Sequence, residues 1–253
     1  MSVNSKTGTS LWRQDISKYE YAAGILKATA SVMVMLYVFY DSFIPAPLLL
    51  PVWLIYMKDW MDDLSRKKEQ ELRQQFRDSI QSMAAALKAG YSVENAIREA
   101  GRDISPVYPE ETRIRKEFKR MERQMDMNMT AEDVLRGFAE RTGQEDIENF
   151  VNVFAAAKRS GGDSIAIIRD AVKIISGKID TEKEIQTMLA SKKMEFDIMC
   201  AVPFAIILYM KLTFGEFLNV LYGNMAGAAV MSICICVYMG AYVYGRKIIR
   251  IEV

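Results

Sequence analysis

The chain has 253 residues, of which 51% are hydrophobic, and its 33 Lys and Arg balance 32 Asp and Glu for a net charge of +1. Such a balance gives no electrostatic basis for binding nucleic acid. The sequence contains no histidine, which excludes imidazole-based acid–base catalysis, histidine phosphotransfer and imidazole metal ligation. The 3 cysteines lie in apolar runs without a CxxC pair, so we expect buried thiols rather than disulfides.

Apolar runs at both ends of the chain predict membrane spans. They form two pairs, over residues 21–40 and 43–57 and over residues 198–214 and 225–244. The first and last runs have roughly the 20 residues that a helix needs to cross a bilayer. The second run is short, and we expect its first prolines at the helix start, where a missing backbone N–H costs least.

Basic residues near the runs predict the direction of insertion. The short connectors within each pair carry no Lys or Arg, whereas Lys58, Lys192 and Arg246 flank the runs on their other sides. We therefore expect a multi-pass protein of the inner (cytoplasmic) membrane with both termini in the cytoplasm. The predicted organisation is a cytoplasmic N-terminal segment (1–20), a first span pair (21–57), a cytoplasmic helical domain (58–197), a second span pair (198–245) and a cytoplasmic tail (246–253).

The middle segment shows helical periodicity throughout, without the alternation typical of strands. In the first helix the apolar residues recur at steps of three and four, at Phe76, Ile80, Met83 and Leu87. Gly90 is expected to end this helix as a C′ glycine. Ser92 is a candidate N-cap for the next helix, and Thr130 with Asp133 resembles a capping box. The last helix of the segment is expected to continue into the third span.

A sequence pattern occurs twice in this segment. AAALKAG at 84–90 is followed by IREA at 97–100, and AAAKRSG at 155–161 is followed by IRDA at 168–171. The pattern predicts two helical hairpins whose corners are Gly90 in the first and Gly161 and Gly162 in the second. Chance similarity between alanine-rich helices is the alternative explanation.

A run of charges covers residues 110–123. It is typical of a solvated helix face with supporting ion pairs, such as Glu111–Arg115 and Glu117–Arg120. A docking surface for a partner is the other interpretation.

Under the docking interpretation, the candidate contacts are Glu111, Arg115, Lys119 and Arg123. The methionines that follow on and after this helix, at 121, 125, 127 and 129, indicate either core filling or an adaptable binding surface.

Motifs for covalent chemistry are missing from the sequence. It has no G-x-x-x-x-G-K-[ST] loop for ATP, no dinucleotide fingerprint and no nucleophile elbow. We expect no catalytic residue, cofactor or metal, and hence no enzyme. A membrane enzyme that uses carboxylates is an alternative.

The layout of two spans, a helical segment and two further spans resembles the type II secretion F-domain family, and most of all the short platform proteins of tight-adherence (Tad) pili. The resemblance is carried by MAAALKAGYS at 83–92, FAAAKRSGGD at 154–163 and IQTMLASKKMEFDIMCAVPF at 185–204. It covers the chain from about residue 76 to the C-terminus. It implies an all-α membrane protein with four transmembrane helices and a six-helix cytoplasmic bundle.

The resemblance also implies a function. A platform protein of this kind would couple a separate cytoplasmic ATPase to the extraction of pilin subunits from the lipid bilayer. It would form a homo-oligomer, or a hetero-oligomer with a related platform protein, and would perform no covalent chemistry itself. A membrane-anchored scaffold or signalling module without an ATPase partner is the alternative function.

Overall fold

The computed structural model describes residues 18–40, 49–160, 164–215 and 225–249. Regular structure in these ranges is helical, and they contain no strand. The helices are α1 Lys18–Phe39, α2 Leu50–Lys88, α3 Val93–Ile104, α4 Arg113–Asp126, α5 Ala131–Thr142, α6 Glu145–Ser160, α7 Ser164–Thr213 and α8 Met225–Ile249.

The chain divides into two compact units. The domain unit consists of residues 65–183, and the span unit of the described parts of 15–64 and 184–253. α2 and α7 contribute residues to both units.

Three of the described helices are long and apolar enough to cross a membrane. These segments are Tyr19–Phe39 in α1, Ile165–Thr213 in α7 and Ala229–Ile248 in α8. They include the first, third and fourth predicted runs, apart from a few terminal residues. The second run, at 43–57, is described only from residue 49, and α2 is not among the three segments. The described residues therefore do not confirm the expected count of four spans.

α2 is longer than the periodicity predicted, whereas α7 continues into the third run as expected. α2 has 39 residues and α7 has 50, so the predicted domain limits at 57 and 197 fall inside continuous helices. Pro51 lies in the first turn of α2, where its missing N–H has no helical acceptor to lose. From residue 52 to the end of α2 the sequence contains neither Gly nor Pro, so nothing interrupts the helix.

The core of the domain unit is formed by the apolar faces of α2 to α7. The stripe predicted on α2, from Phe76 to Leu87, is buried along its length, which confirms that prediction. Phe76 lies against Phe138 of α5 and Phe150 of α6, with ring centroids 6.0 and 5.8 Å apart. Burial of each such side chain stabilises the fold by about 1.5–3 kcal/mol.

Three of the described helix ends use a left-handed residue, and one of them is the end of α5 at Gly143, whose φ is 59°. Gly90 has a φ of 91°; its N–H donates to the Leu87 carbonyl and the Tyr91 N–H to the Ala86 carbonyl, both at 3.1 Å. This is a Schellman motif, and it confirms the C′ role predicted for Gly90. α4 ends in the same way with Asn128, whose φ is 62°, an end that the sequence analysis missed.

Both predicted N-caps are formed. The Ser92 hydroxyl accepts from the Asn95 N–H at 3.3 Å, and the Thr130 hydroxyl accepts from the Asp133 N–H at 3.2 Å. The Thr130 hydroxyl also donates to the Asp133 carboxylate at 2.7 Å. In a full capping box a longer Glu or Gln side chain instead reaches back to the N-cap N–H. The second predicted corner, Gly161 and Gly162, lies outside the described residues.

In the span unit, α1 and α2 approach closely at a glycine. Ion pairs between side chains join other helices of this unit. A Cβ added to Gly24 of α1 would lie 2.5 Å from the Trp60 ring of α2. Arg246 of α8 contacts Asp59 and Asp63 of α2 at 2.5 and 3.1 Å. Asp63 also contacts Lys193 of α7 at 2.9 Å. These ion pairs therefore join α2, α7 and α8 within the span unit.

Candidate partner-binding surface and ion-pair network

The domain unit contains a buried carboxylate with two cationic partners. Asp146 lies in the first turn of α6, and only 4% of its side chain is exposed. It accepts from Arg73 of α2 at 2.6 Å and from Lys178 of α7 at 2.8 Å. A buried charge is tolerated only when it is paired and hydrogen-bonded, and the first turn of a helix also favours an anion. Asp146 thus joins three helices.

Further ion pairs join α2 directly to α7. Arg73 contacts Glu182 at 2.5 Å, and Arg77 contacts Asp180 at 2.8 Å. α2 and α7 are the two helices that also contribute to the span unit. Within the domain unit, ion pairs therefore hold these two helices together.

Tyr108 anchors the turn between α3 and α4 to α2. Its hydroxyl donates to the Asp78 carboxylate. Burial, together with this hydrogen bond, raises the pKa of Tyr108 to about 12, because both favour the neutral phenol over the phenolate. The turn therefore has a fixed position against the domain core.

The charged helix α4 does not form the ion pairs that we predicted within it. Glu117 is buried and contacts Arg141 of α5 at 2.7 Å instead of Arg120. Arg115 pairs with Glu110 at 3.6 Å rather than with Glu111. The helix begins only at Arg113, so Glu111 precedes it and is outside the helical i, i+4 register.

The methionines of this run divide between the core and the surface. Met121 and Met125 are buried in the domain core. Met127 and Met129 follow the helix end and are 74% and 41% exposed. Core filling and surface exposure therefore occur in adjacent turns of the same sequence run.

An open cleft of about 520 Å³ lies between α3 and α4. Its size is in the range of protein ligand sites. Its lining is formed by Ile97, Arg98, Gly101, Arg102, Ser105, Glu110, Arg115, Lys116, Phe118, Lys119, Glu122 and Met125. Basic side chains outnumber acidic ones in this lining.

The four candidate contacts predicted on the charge run lie at different places. Arg115 and Lys119 line the cleft. Glu111 is exposed in the turn before α4. Arg123 is exposed on α4 and donates from Nε to the Lys119 carbonyl at 3.2 Å. The structure thus brings two of the four residues together.

Arg73 and Asp146 are not among the residues that the sequence patterns single out. Asp146 had the appearance of an ordinary acidic residue in a first helical turn, because its burial depends on packing between helices. A weak signal was present in α2, where Arg73 and Arg77 are four residues apart on one helix face. Like charges at that spacing are unfavourable unless a partner element supplies carboxylates.

A comparison with protein-family models matches residues 79–211 to the type II secretion system (T2SS), protein F. The match covers more than half of the chain and runs from the C-terminal part of α2 to near the end of α7. The chain belongs to this family. Comparisons with curated proteins and with solved structures gave no match.

Members of the T2SS protein F family are platform proteins of secretion and type IV pilus-type machines, and they work with secretion or pilus ATPases and membrane assemblies. The membership agrees with the candidate spans in α1, α7 and α8. Together they identify the chain as a membrane protein of this platform family.

Proposed function

We propose that this chain is the inner-membrane platform protein of a Tad or type IV-like pilus, or of a type II secretion machine. It would couple a separate cytoplasmic ATPase to the extraction and assembly of pilin subunits. The observation that carries the proposal is the protein F match across residues 79–211, which includes most of the domain unit and much of α7.

The ion-pair network suggests how a movement could be transmitted. An ATPase bound to the domain unit would displace α2 and α7 together, because Arg73–Glu182 and Arg77–Asp180 join these helices. Both helices also supply residues to the span unit. The chain itself would perform no covalent chemistry.

The proposed topology has four spans around a six-helix cytoplasmic bundle. The second span would be formed by the run at 43–57, and both termini would be cytoplasmic, in line with the distribution of basic residues. A single F-type domain with two spans on either side favours the Tad branch of the family.

Exposed apolar side chains in the spans support the proposal that partners contact the chain within the membrane. Met199 and Tyr209 of α7 and Val237 of α8 are each more than half exposed. Lipid, pilin and a second copy or a related platform protein would cover these side chains in the assembled machine.

The direct test is co-purification from native membranes. The tagged full-length chain is solubilised in detergent and recovered, and bound proteins are identified by mass spectrometry against an unrelated tagged multi-pass protein. The proposal predicts enrichment of a secretion or pilus ATPase and of a pilin. Enrichment of neither would overturn the proposal and favour the scaffold alternative.

A further inference from the structure

The cleft between α3 and α4 is lined by apolar and by basic side chains. Its apolar side chains, Ile97, Phe118 and Met125, are called the floor, and the charged side chains around them are called the walls. Ile97 and Met125 are buried members of the domain core, and Phe118 is packed against that core. α3 lies close to the Phe118 ring at Gly101, where an added Cβ would be in ordinary van der Waals contact with the ring at 3.4 Å. The side chains around this floor include the basic residues Arg98, Arg102, Arg115, Lys116 and Lys119 and the acidic residues Glu110 and Glu122.

Some of these cations are already paired. Arg98 contacts Asp126 at 2.7 Å, and Arg115 contacts Glu110 at 3.6 Å and donates to the Ser105 hydroxyl at 2.8 Å. These contacts fix the two guanidinium groups at the walls of the cleft.

Lys116 and Lys119 differ from the arginines. Both are exposed, and their ammonium groups form no ion pair with any residue in the part of the chain that the structure describes. They are three residues apart on one face of α4, where like charges repel. Anionic groups placed between them would relieve this repulsion.

We infer that the α3–α4 cleft binds an acidic segment of a partner protein. Carboxylates of the segment pair with Lys116 and Lys119, and an apolar side chain of the same segment lies on the floor at Phe118. A small inorganic anion would leave that floor uncovered. The inference rests on the proposed function only in naming the ATPase as the protein that carries this segment.

The test compares two double variants of the full-length chain in detergent. Lys116→Glu with Lys119→Glu reverses the cleft charges. Lys158→Glu with Lys173→Glu is the matched control, because both lysines are exposed in the domain unit and neither lines the cleft. The two double substitutions change the net charge by the same amount. Thermal unfolding checks that both variants are folded.

The first readout is direct binding of a fluorescent peptide of alternating Glu and Leu, measured by anisotropy at several salt concentrations. We expect the cleft variant to bind about tenfold more weakly than the wild type and with a shallower salt dependence. The control variant should bind as the wild type does. Equal peptide affinity for both variants, or no binding by the wild type, would overturn the inference.

The second readout is co-purification of the ATPase, which separates the two proposals. If the wild type retains the ATPase and only the cleft variant loses it, the cleft is the contact with that protein. If both variants retain the ATPase equally, the proposed function stands, and the inference is wrong in naming the ATPase as the protein that occupies the cleft. If the wild type retains no ATPase, the proposed function fails, and the peptide measurement alone decides the cleft.

Discussion

At the scale of single residues, Gly90 shows a purely conformational requirement. Its φ of 91° is unfavourable for side chains with a Cβ, yet nothing lies within 4 Å of where that Cβ would be. Gly90→Val should therefore destabilise the chain by about 2 kcal/mol through backbone strain alone. Gly90→Asn should cost less, because Asn tolerates this region. Equal thermal unfolding of wild type and Gly90→Val in detergent would contradict the Schellman corner.

Asp146 is a carboxylate that two basic side chains on different helices share. Asp146→Ala leaves Lys178 and one side of Arg73 without their carboxylate, while Arg73 keeps Glu182. We expect a loss of about 2 kcal/mol in the free energy of unfolding. Asp170→Ala, at an exposed position on α7, is the control and should change stability little. An unchanged free energy of unfolding in Asp146→Ala would show that this ion-pair network does not stabilise the fold.

Tyr108 makes the stability of the domain unit dependent on pH in the alkaline range. Its pKa is raised to about 12 in the fold but is about 10 in an unfolded chain. Its contribution to stability is therefore fully present below pH 10 and lost as the pH rises through 12. The stability advantage of the wild type over Tyr108→Phe should shrink across that window. A difference that stays constant from pH 9 to pH 12 would contradict the hydrogen bond from the partly buried Tyr108 hydroxyl to Asp78.

At the scale of elements, Gly24 sets the separation of α1 and α2 in the span unit. A Cβ there would lie 2.5 Å from the Trp60 ring, whereas Gly240 of α8 has nothing within 4 Å. Gly24→Ala should force the ring to move and cost about 1–3 kcal/mol. Gly240→Ala should be neutral or slightly stabilising. The comparison is made by thermal unfolding in detergent, and the same melting temperature for both would argue against close packing at Gly24.

The sequence predicted the helices of the domain better than their contacts. The apolar stripe of α2, the caps at Ser92 and Thr130 and the end at Gly90 follow from local rules, since each depends on residues within one or two turns. The continuity of α2 into the second run was missed because the apolar pattern changes to an amphipathic one near residue 58 without any break in the backbone.

The candidate site was only partly predictable, for a physical reason. Lys119 and Arg115 could be found because charge density is visible in the sequence. The buried role of Glu117, paired with Arg141 of α5, could not be found, because it depends on which helix packs against α4. The burial and pairing of Asp146 could not be predicted for the same reason.

At the scale of the whole molecule, this chain of the T2SS protein F family contains a helical domain unit and a span unit. α2 and α7 belong to both units, and ion pairs join them within each one. Under the proposed function, these ion pairs would let α2 and α7 move together when the ATPase acts on the chain.

The decisive measurement for the platform function is pilus assembly in cells that lack this chain. Surface pilin and membrane-retained pilin are quantified in a deletion strain, with the ATPase level measured in parallel, and again after the full-length chain is restored. We expect deletion to abolish surface pili and to leave pilin in the membrane at an unchanged ATPase level. Restoring the chain should reverse both effects on pilin. Normal surface pili in the deletion strain would contradict the platform function.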